Sequence, residues 1–180
     1  ARSVENQHHR EVSSWLDFPI WMKNPTSWNI EIMVNSIKAG ENPSIYVVWN
    51  KVYETSWNKY CHWILRWWAS WSNYSLQDIE KSYEKMKDLN VSYPALVIDT
   101  NHDNSKKQYE KQIDIMSEVM SSIKWKPELE NLVKWFMVES YLYDGKQDIT
   151  KNLKKWLSLT DPCIWKKKTE ELIRKLYNLC

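Results

Sequence analysis

Ala95-Leu96-Val97-Ile98-Asp99-Thr100-Asn101-His102-Asp103-Asn104-Ser105 is a short, continuous apolar run that gives way abruptly to polar residues. Unbroken apolar character over so few residues fits a strand covered on both faces, the kind found in parallel sheets. Ala95 to Thr100 therefore reads as a buried strand and the residues around His102 as the loop that follows it. Past the loop, Tyr109, Ile113, Met116, Met120 and Ile123 recur at helical spacing. Strand, polar loop and amphipathic helix make one unit of a layered α/β fold.

The same unit recurs on either side. Residues 3–14 read as a helix, and Phe18 to Lys23 as a short strand closed by Asn24-Pro25-Thr26. Ile30, Met33, Val34 and Ile37 form one face of the next helix, and Ile45 to Val48 pairs with Lys51 to Thr55 as a hairpin. His62 to Arg66 is a further strand. Ser75-Leu76-Gln77-Asp78 is a capping box that opens a helix to about Leu89. Val133 to Glu139 is the last main strand; a 25-residue loop then leads to a helix with Leu172, Ile173, Leu176 and Leu179 inward.

Strands alternating with helices mean a parallel sheet, either doubly wound or closed into a (β/α)8 barrel. No Gly-rich phosphate loop follows any strand, so the dinucleotide-binding version lacks its signature. Barrels hang their working groups from the C-terminal ends of the strands. Here four strands end in such a group: Lys23, Arg66, His102 and Glu139. A whole barrel needs about 250 residues, and this chain has 180 with four main strands. The expectation is the C-terminal half of a (β/α)8 TIM barrel, strands five to eight with their helices. Residues 1–180 would then be a single partial barrel domain, truncated at the N-terminus.

Lys+Arg 25 against Asp+Glu 23 leaves a net charge of +2, too balanced to call for nucleic acid or a membrane surface. No apolar run approaches the length of a transmembrane helix. Three scattered cysteines, Cys61, Cys163 and Cys180, fit a reducing, cytoplasmic setting rather than a disulfide framework. The abnormal count is 13 Trp against 2 Gly, where ordinary usage gives roughly 13 glycines in a chain of this length. Trp28 and Trp57 both sit in Thr-Ser-Trp-Asn turns, and Trp15 stands where a helix C′ glycine belongs. A UGA stop codon that the source reads as glycine, translated here as Trp, accounts for the exchange. The competing account is a surface of indoles that stacks sugars or single-stranded bases.

Several side chains could carry chemistry. An arginine after an apolar strand, as at Arg66, suits bidentate phosphate or carboxylate binding. Glu139 ends a run too apolar to leave a carboxylate alone, so a cation is implied. One imidazole with two carboxylates (His102, Glu139 and Asp161) suits a divalent first-row metal acting as Lewis acid. The plainer readings are a solvated His102, a surface Lys23 and Asp161 as a helix N-cap. His8, His9 and Lys166 to Lys168 are read as solvated. Cys61 and His62 are strand neighbours pointing to opposite faces, so they share no metal.

With Trp read as Gly, Ala1 to Gln7 resembles A-R-T-T-E-S-Q and His62 to Trp68 becomes H-G-I-L-R-G-G. Asp99 to Ser105 (D-T-N-H-D-N-S) is similar to D-x-S-H-A-N-S. Phe136 to Gln147 (F-M-V-E-S-Y-L-Y-D-G-K-Q) and Leu159 to Trp165 (L-T-D-P-C-I-G) complete a set in the right order along the whole chain. These motifs resemble the type I 3-deoxy-D-arabino-heptulosonate 7-phosphate synthases. Trp15, Trp21, Trp28, Trp57, Trp67, Trp68, Trp135 and Trp165 fall where that family carries glycine.

The resemblance implies a metal-dependent condensation of phosphoenolpyruvate with erythrose 4-phosphate that releases phosphate, the first step of the shikimate pathway to the aromatic amino acids. It implies that Arg2 and Arg66 hold the donor's phosphate and Lys23 its carboxylate end. His102, Glu139 and Asp161 would bind one divalent ion (Mn, Fe, Co or Zn), and the full-length protein would be a homo-oligomer. The family's first four strands, its cysteine metal ligand, its K-P-R-T segment and another substrate arginine have no counterpart here, and His102-Asp103 replaces His-Ala. The fragment alone is therefore expected to be inactive. The alternatives are the related 3-deoxy-octulosonate 8-phosphate synthase and a non-catalytic Trp-rich carbohydrate- or RNA-binding module.

Overall fold

The computed structural model describes residues 6–23, 30–66 and 72–178. Arg2, Trp28, Trp67, Trp68, Trp71, Leu179 and the turn at 24–26 lie outside the described residues.

Helix α1 (Gln7–Trp15) starts at Gln7, because the Asn6 side chain accepts a hydrogen bond from the His9 N–H and caps it. Strand β1 (Ile20–Lys23) leads to helix α2 (Ile30–Gly40), then to the hairpin β2 (Ile45–Val48) and β3 (Lys51–Glu54). Strand β4 (Cys61–Leu65), helix α3 (Leu76–Asp88), strand β5 (Leu96–Asp99) and helix α4 (Lys111–Ile123) follow. The capping box at Ser75 forms in full: Ser75 Oγ accepts from the Asp78 N–H and Asp78 accepts from the Ser75 N–H. Helix α5 (Pro127–Leu132) was not expected; at six residues it is too short to show a period. It runs directly into strand β6 (Val133–Met137). The expected 25-residue loop contains two short strands, β7 (Ser140–Tyr141) and β8 (Ile164–Trp165), paired in parallel just before helix α6 (Lys166–Tyr177).

The main sheet is four parallel strands in the order β1-β4-β5-β6. That order follows the chain without reversal, so the sheet has no topological switch point of the doubly wound kind. Helices cover it through a core that includes Met22, Met33, Ile37, Leu65, Ile98 and Val119, all nearly sealed from solvent. β4 and β5 are buried at every residue, which is why both read as mostly apolar runs, His62 and Asp99 apart. Register carries Lys23 opposite Ile64, Leu65 opposite Ile98, and Asp99 opposite Met137. The ends that carry Lys23, Arg66, Asp99 and Glu139 therefore line one edge of the sheet. In α6, Leu172 is buried as expected, but Ile173 is 60% exposed, because the helix docks along a narrower stripe than the sequence implied.

Eight of the nine described tryptophans are exposed; Trp63, in β4, is the buried one. Three have a backbone that disfavours any side chain. Trp49 (φ 53°) and Asn50 (φ 60°) are the two central residues of the β2–β3 hairpin, where a two-residue turn with both φ positive is the type I′ geometry. Lys124 (φ −52°, ψ 134°) and Trp125 (φ 70°) are the centre of a turn closed by Lys126 N–H to Ile123 O. Those angles are type II, which calls for glycine at the position Trp125 occupies. Trp156 (φ 66°) holds the same place in a turn closed by Leu157 N–H to Lys154 O. Trp15 differs from its expected place: it is the last residue of α1, followed by Leu16 at φ −83°, so no left-handed residue ends that helix.

Candidate metal centre

The segment from Asp99 to Ser105 packs six polar side chains almost out of solvent: Asp99, Thr100, Asn101, His102, Asn104 and Ser105. Buried polar groups need partners, and here the partners stitch neighbouring strand ends together. Asn104 Nδ2 donates to Leu65 O and to Asp99 O, binding the loop to the end of β4. Thr100 donates through both its N–H and its hydroxyl to Met137 O, binding it to β6. Asn101 Nδ2 donates to Pro162 O, which fastens the stretch bearing Asp161. The result holds His102 at φ 42°, a strained backbone of the sort that persists where surrounding contacts over-determine it.

Glu139 is held by a different device. Gln112, fully buried on α4, accepts from the Glu139 N–H at 2.8 Å and donates to the Glu139 carbonyl at 3.1 Å. One side-chain amide thus takes the place of a strand partner beyond Met137. Ile164 N–H also donates to Glu139 O, which brings β8 and the preceding Asp161 loop alongside.

These constraints converge on one point. His102 Nε2 stands 3.6 Å from Glu139 Oε1 and 3.5 Å from Asp161 Oδ2, and one donor atom from each of the three residues lies within 4.8 Å of the others. Donors bound about 2.0–2.2 Å from a single ion sit at most ~4.4 Å apart, so a small inward movement closes the set. His102 is 9% exposed while both acids are half-buried, which leaves the point open from one side. Nitrogen plus two carboxylate oxygens is a donor set for a first-row divalent cation.

Behind the imidazole, Asp99 Oδ2 lies 2.8 Å from His102 Nδ1 and 3.5 Å from Arg66 Nε. All three atoms are fully buried and none closes a well-aligned hydrogen bond, so the Asp99 carboxylate faces the Arg66 guanidinium and the imidazole at contact distance. The sequence places Asp99 at the head of a family-like motif and Gln112 shortly after it, but assigns neither a role in the site. A charge closing an apolar run, the signal used for Arg66, would have marked Asp99. Gln112 had a weaker mark, an amide among the inward residues of α4. Lys23 stands at the neighbouring strand end, half-buried, beside the strand that leads to Arg66.

Residues 1–174 match the model of the DAHP synthetase I family. The chain belongs to that family. It is 32% identical to the phospho-2-dehydro-3-deoxyheptonate aldolase of Haemophilus influenzae, over 98% of this chain and 49% of that protein. The Phe-sensitive enzyme of that name from Escherichia coli K12 is 34% identical over 99% of this chain and 51% of its own length. The solved structure of the Francisella tularensis aldolase superposes with a TM-score of 0.85 at 30% identity, over 96% of this chain and 51% of that one. The chain thus spans about half the length of the relatives it matches. Among the described residues, no helix is long and apolar enough to cross a membrane.

Proposed function

We propose that this chain is the C-terminal half of a (β/α)8 barrel in a 3-deoxy-7-phosphoheptulonate synthase. The whole enzyme would condense phosphoenolpyruvate with erythrose 4-phosphate and release inorganic phosphate. The observation that carries this reading is the meeting of His102, Glu139 and Asp161 at one end of a four-stranded parallel sheet, within 4.8 Å of one another, in a chain of this family. The unreversed strand order supports the half-barrel, since consecutive βα units of a barrel pair in chain order.

His102, Glu139 and Asp161 would hold one divalent ion. When bound, that ion supplies Lewis acidity toward the acceptor's aldehyde oxygen. The chain's own cations position the donor. Arg66, its Nε turned to Asp99, offers its terminal nitrogens as a fork for the donor's phosphate, and Arg2 would join it. Lys23, one strand over, would take the donor's carboxylate. Fixing a multiply charged donor against a held acceptor turns a bimolecular encounter into a local one, which is where much of the rate enhancement arises. His102, closed in by the polar loop, keeps its nitrogen aimed at the site without rearrangement.

The test is a phosphate-release and heptulosonate assay on the full-length protein with Mn, Fe, Co and Zn in turn, beside the His102→Ala variant and the 180-residue chain alone. Metal-dependent turnover lost in His102→Ala, and none from the isolated chain, is the expected result. Turnover unaffected by a chelator and by His102→Ala would refute the assignment.

A further inference from the structure

Asp99 has no part in the chemistry described so far, yet it is completely buried and touches two of its members. One oxygen, Oδ2, faces both the histidine of the metal cluster at 2.8 Å and the Arg66 guanidinium at 3.5 Å. The other, Oδ1, accepts the Asn101 N–H at 2.9 Å, and the Asp99 carbonyl accepts from Asn104. The carboxylate is therefore fixed in place by its own loop, and its shared oxygen cannot move toward the imidazole without leaving the guanidinium.

We propose that Asp99 is a positioning residue that couples the two halves of the site, so that an anion on Arg66 tightens a cation on His102, Glu139 and Asp161. This rests on the reading of those three residues as metal ligands. A carboxylate behind a ligating imidazole holds the ring N–H on the far nitrogen and leaves the near lone pair for the ion. Here the far nitrogen is Nδ1, and Nε2 is the one that faces Glu139 and Asp161. Arg66 competes for the same Asp99 oxygen. An anion that draws the guanidinium outward leaves that oxygen to His102 alone, which strengthens the imidazole as a donor. Linkage makes the effect mutual: the ion must then tighten the anion by the same factor.

The experiment is a cobalt(II) titration of the full-length protein, followed by the visible d–d absorbance of the bound ion, with and without phosphoenolpyruvate at matched free cobalt. Wild-type affinity should rise roughly 5-fold or more with phosphoenolpyruvate. The isosteric Asp99→Asn variant should bind cobalt roughly 10- to 100-fold more weakly and lose the phosphoenolpyruvate effect. Arg66→Gln, which frees the same oxygen without any anion, should bind cobalt about as tightly as the wild type does with phosphoenolpyruvate and show no further response, and this arm stands if Asp99→Asn does not fold. A wild-type affinity indifferent to phosphoenolpyruvate, or an Asp99→Asn or Arg66→Gln variant that retains the full response, overturns the coupling. The underlying site fails separately, if His102→Ala leaves the wild-type cobalt band intact.

Discussion

Replacing Trp49 or Trp125 by glycine and by alanine, side by side, tests whether these backbones demand glycine. Both replacements discard the same indole, which at 92% and 83% exposure has little to lose, so burial cancels from the comparison. What remains is the backbone. A left-handed residue with a Cβ costs roughly 1–2 kcal/mol, and φ is 53° at Trp49 and 70° at Trp125. Glycine removes that strain but loses about 0.5–1 kcal/mol more chain entropy on folding. Glycine should therefore be ahead of alanine by ~0.5–1 kcal/mol at each site, about 1–4 °C in Tm for a protein of this size. The two sites share no contact and should add. Trp15 is the control: it lies in α1 with no left-handed backbone, so alanine should be ahead of glycine there by about 1 kcal/mol. Paired thermal melts on the six single variants read the sign directly. Alanine equal to or better than glycine at both Trp49 and Trp125 would refute the left-handed assignment and leave the recoding idea without structural support.

Removing the metal should lower Tm by roughly 5–10 °C, since a ligand at a hundred times its Kd adds about 2.7 kcal/mol; melts with and without chelator show it, and Glu139→Gln should blunt the difference. Gly40→Ala should destabilise by ~1–3 kcal/mol, because a Cβ there collides with Cys61 Sγ; adding Cys61→Ala should recover most of the loss, as denaturant melts of the double variant will show. Burial pushes the Cys61 thiol up to about 12 from 9.0. The unfolded chain then ionises first, so stability should fall as pH rises from about 9 toward 12, in urea melts that Cys61→Ala flattens. Burial likewise lowers the His62 imidazole below its ordinary 6.5. The unfolded chain takes up that proton more readily, so stability should also decline as pH falls below 6.5, an acid limb absent in His62→Gln.

The alternation of strands and helices was open to reading along the chain because its causes are local. Buried strands β4 and β5 are mostly apolar runs, the Ser75 capping box closes within one turn, and the hairpin needs only two residues between its strands. His102, Glu139 and Asp161 could each be named from a polar group standing after an apolar stretch or before a proline. Their meeting was implied only by the family resemblance; no local feature of the chain carries it. It depends on Gln112 gripping the backbone of Glu139, 27 residues away, and on Asn101 reaching Pro162, 61 residues away. It also depends on a register that sets Asp99 beside Met137. Such pairings carry no periodicity. They arise when the parallel order brings strand ends to one edge and buried polar groups must find partners there. The need for glycine divides in the same way: its deficit is visible in composition, but which indoles sit on a left-handed backbone emerges only from the turns that the packed helices and strands impose.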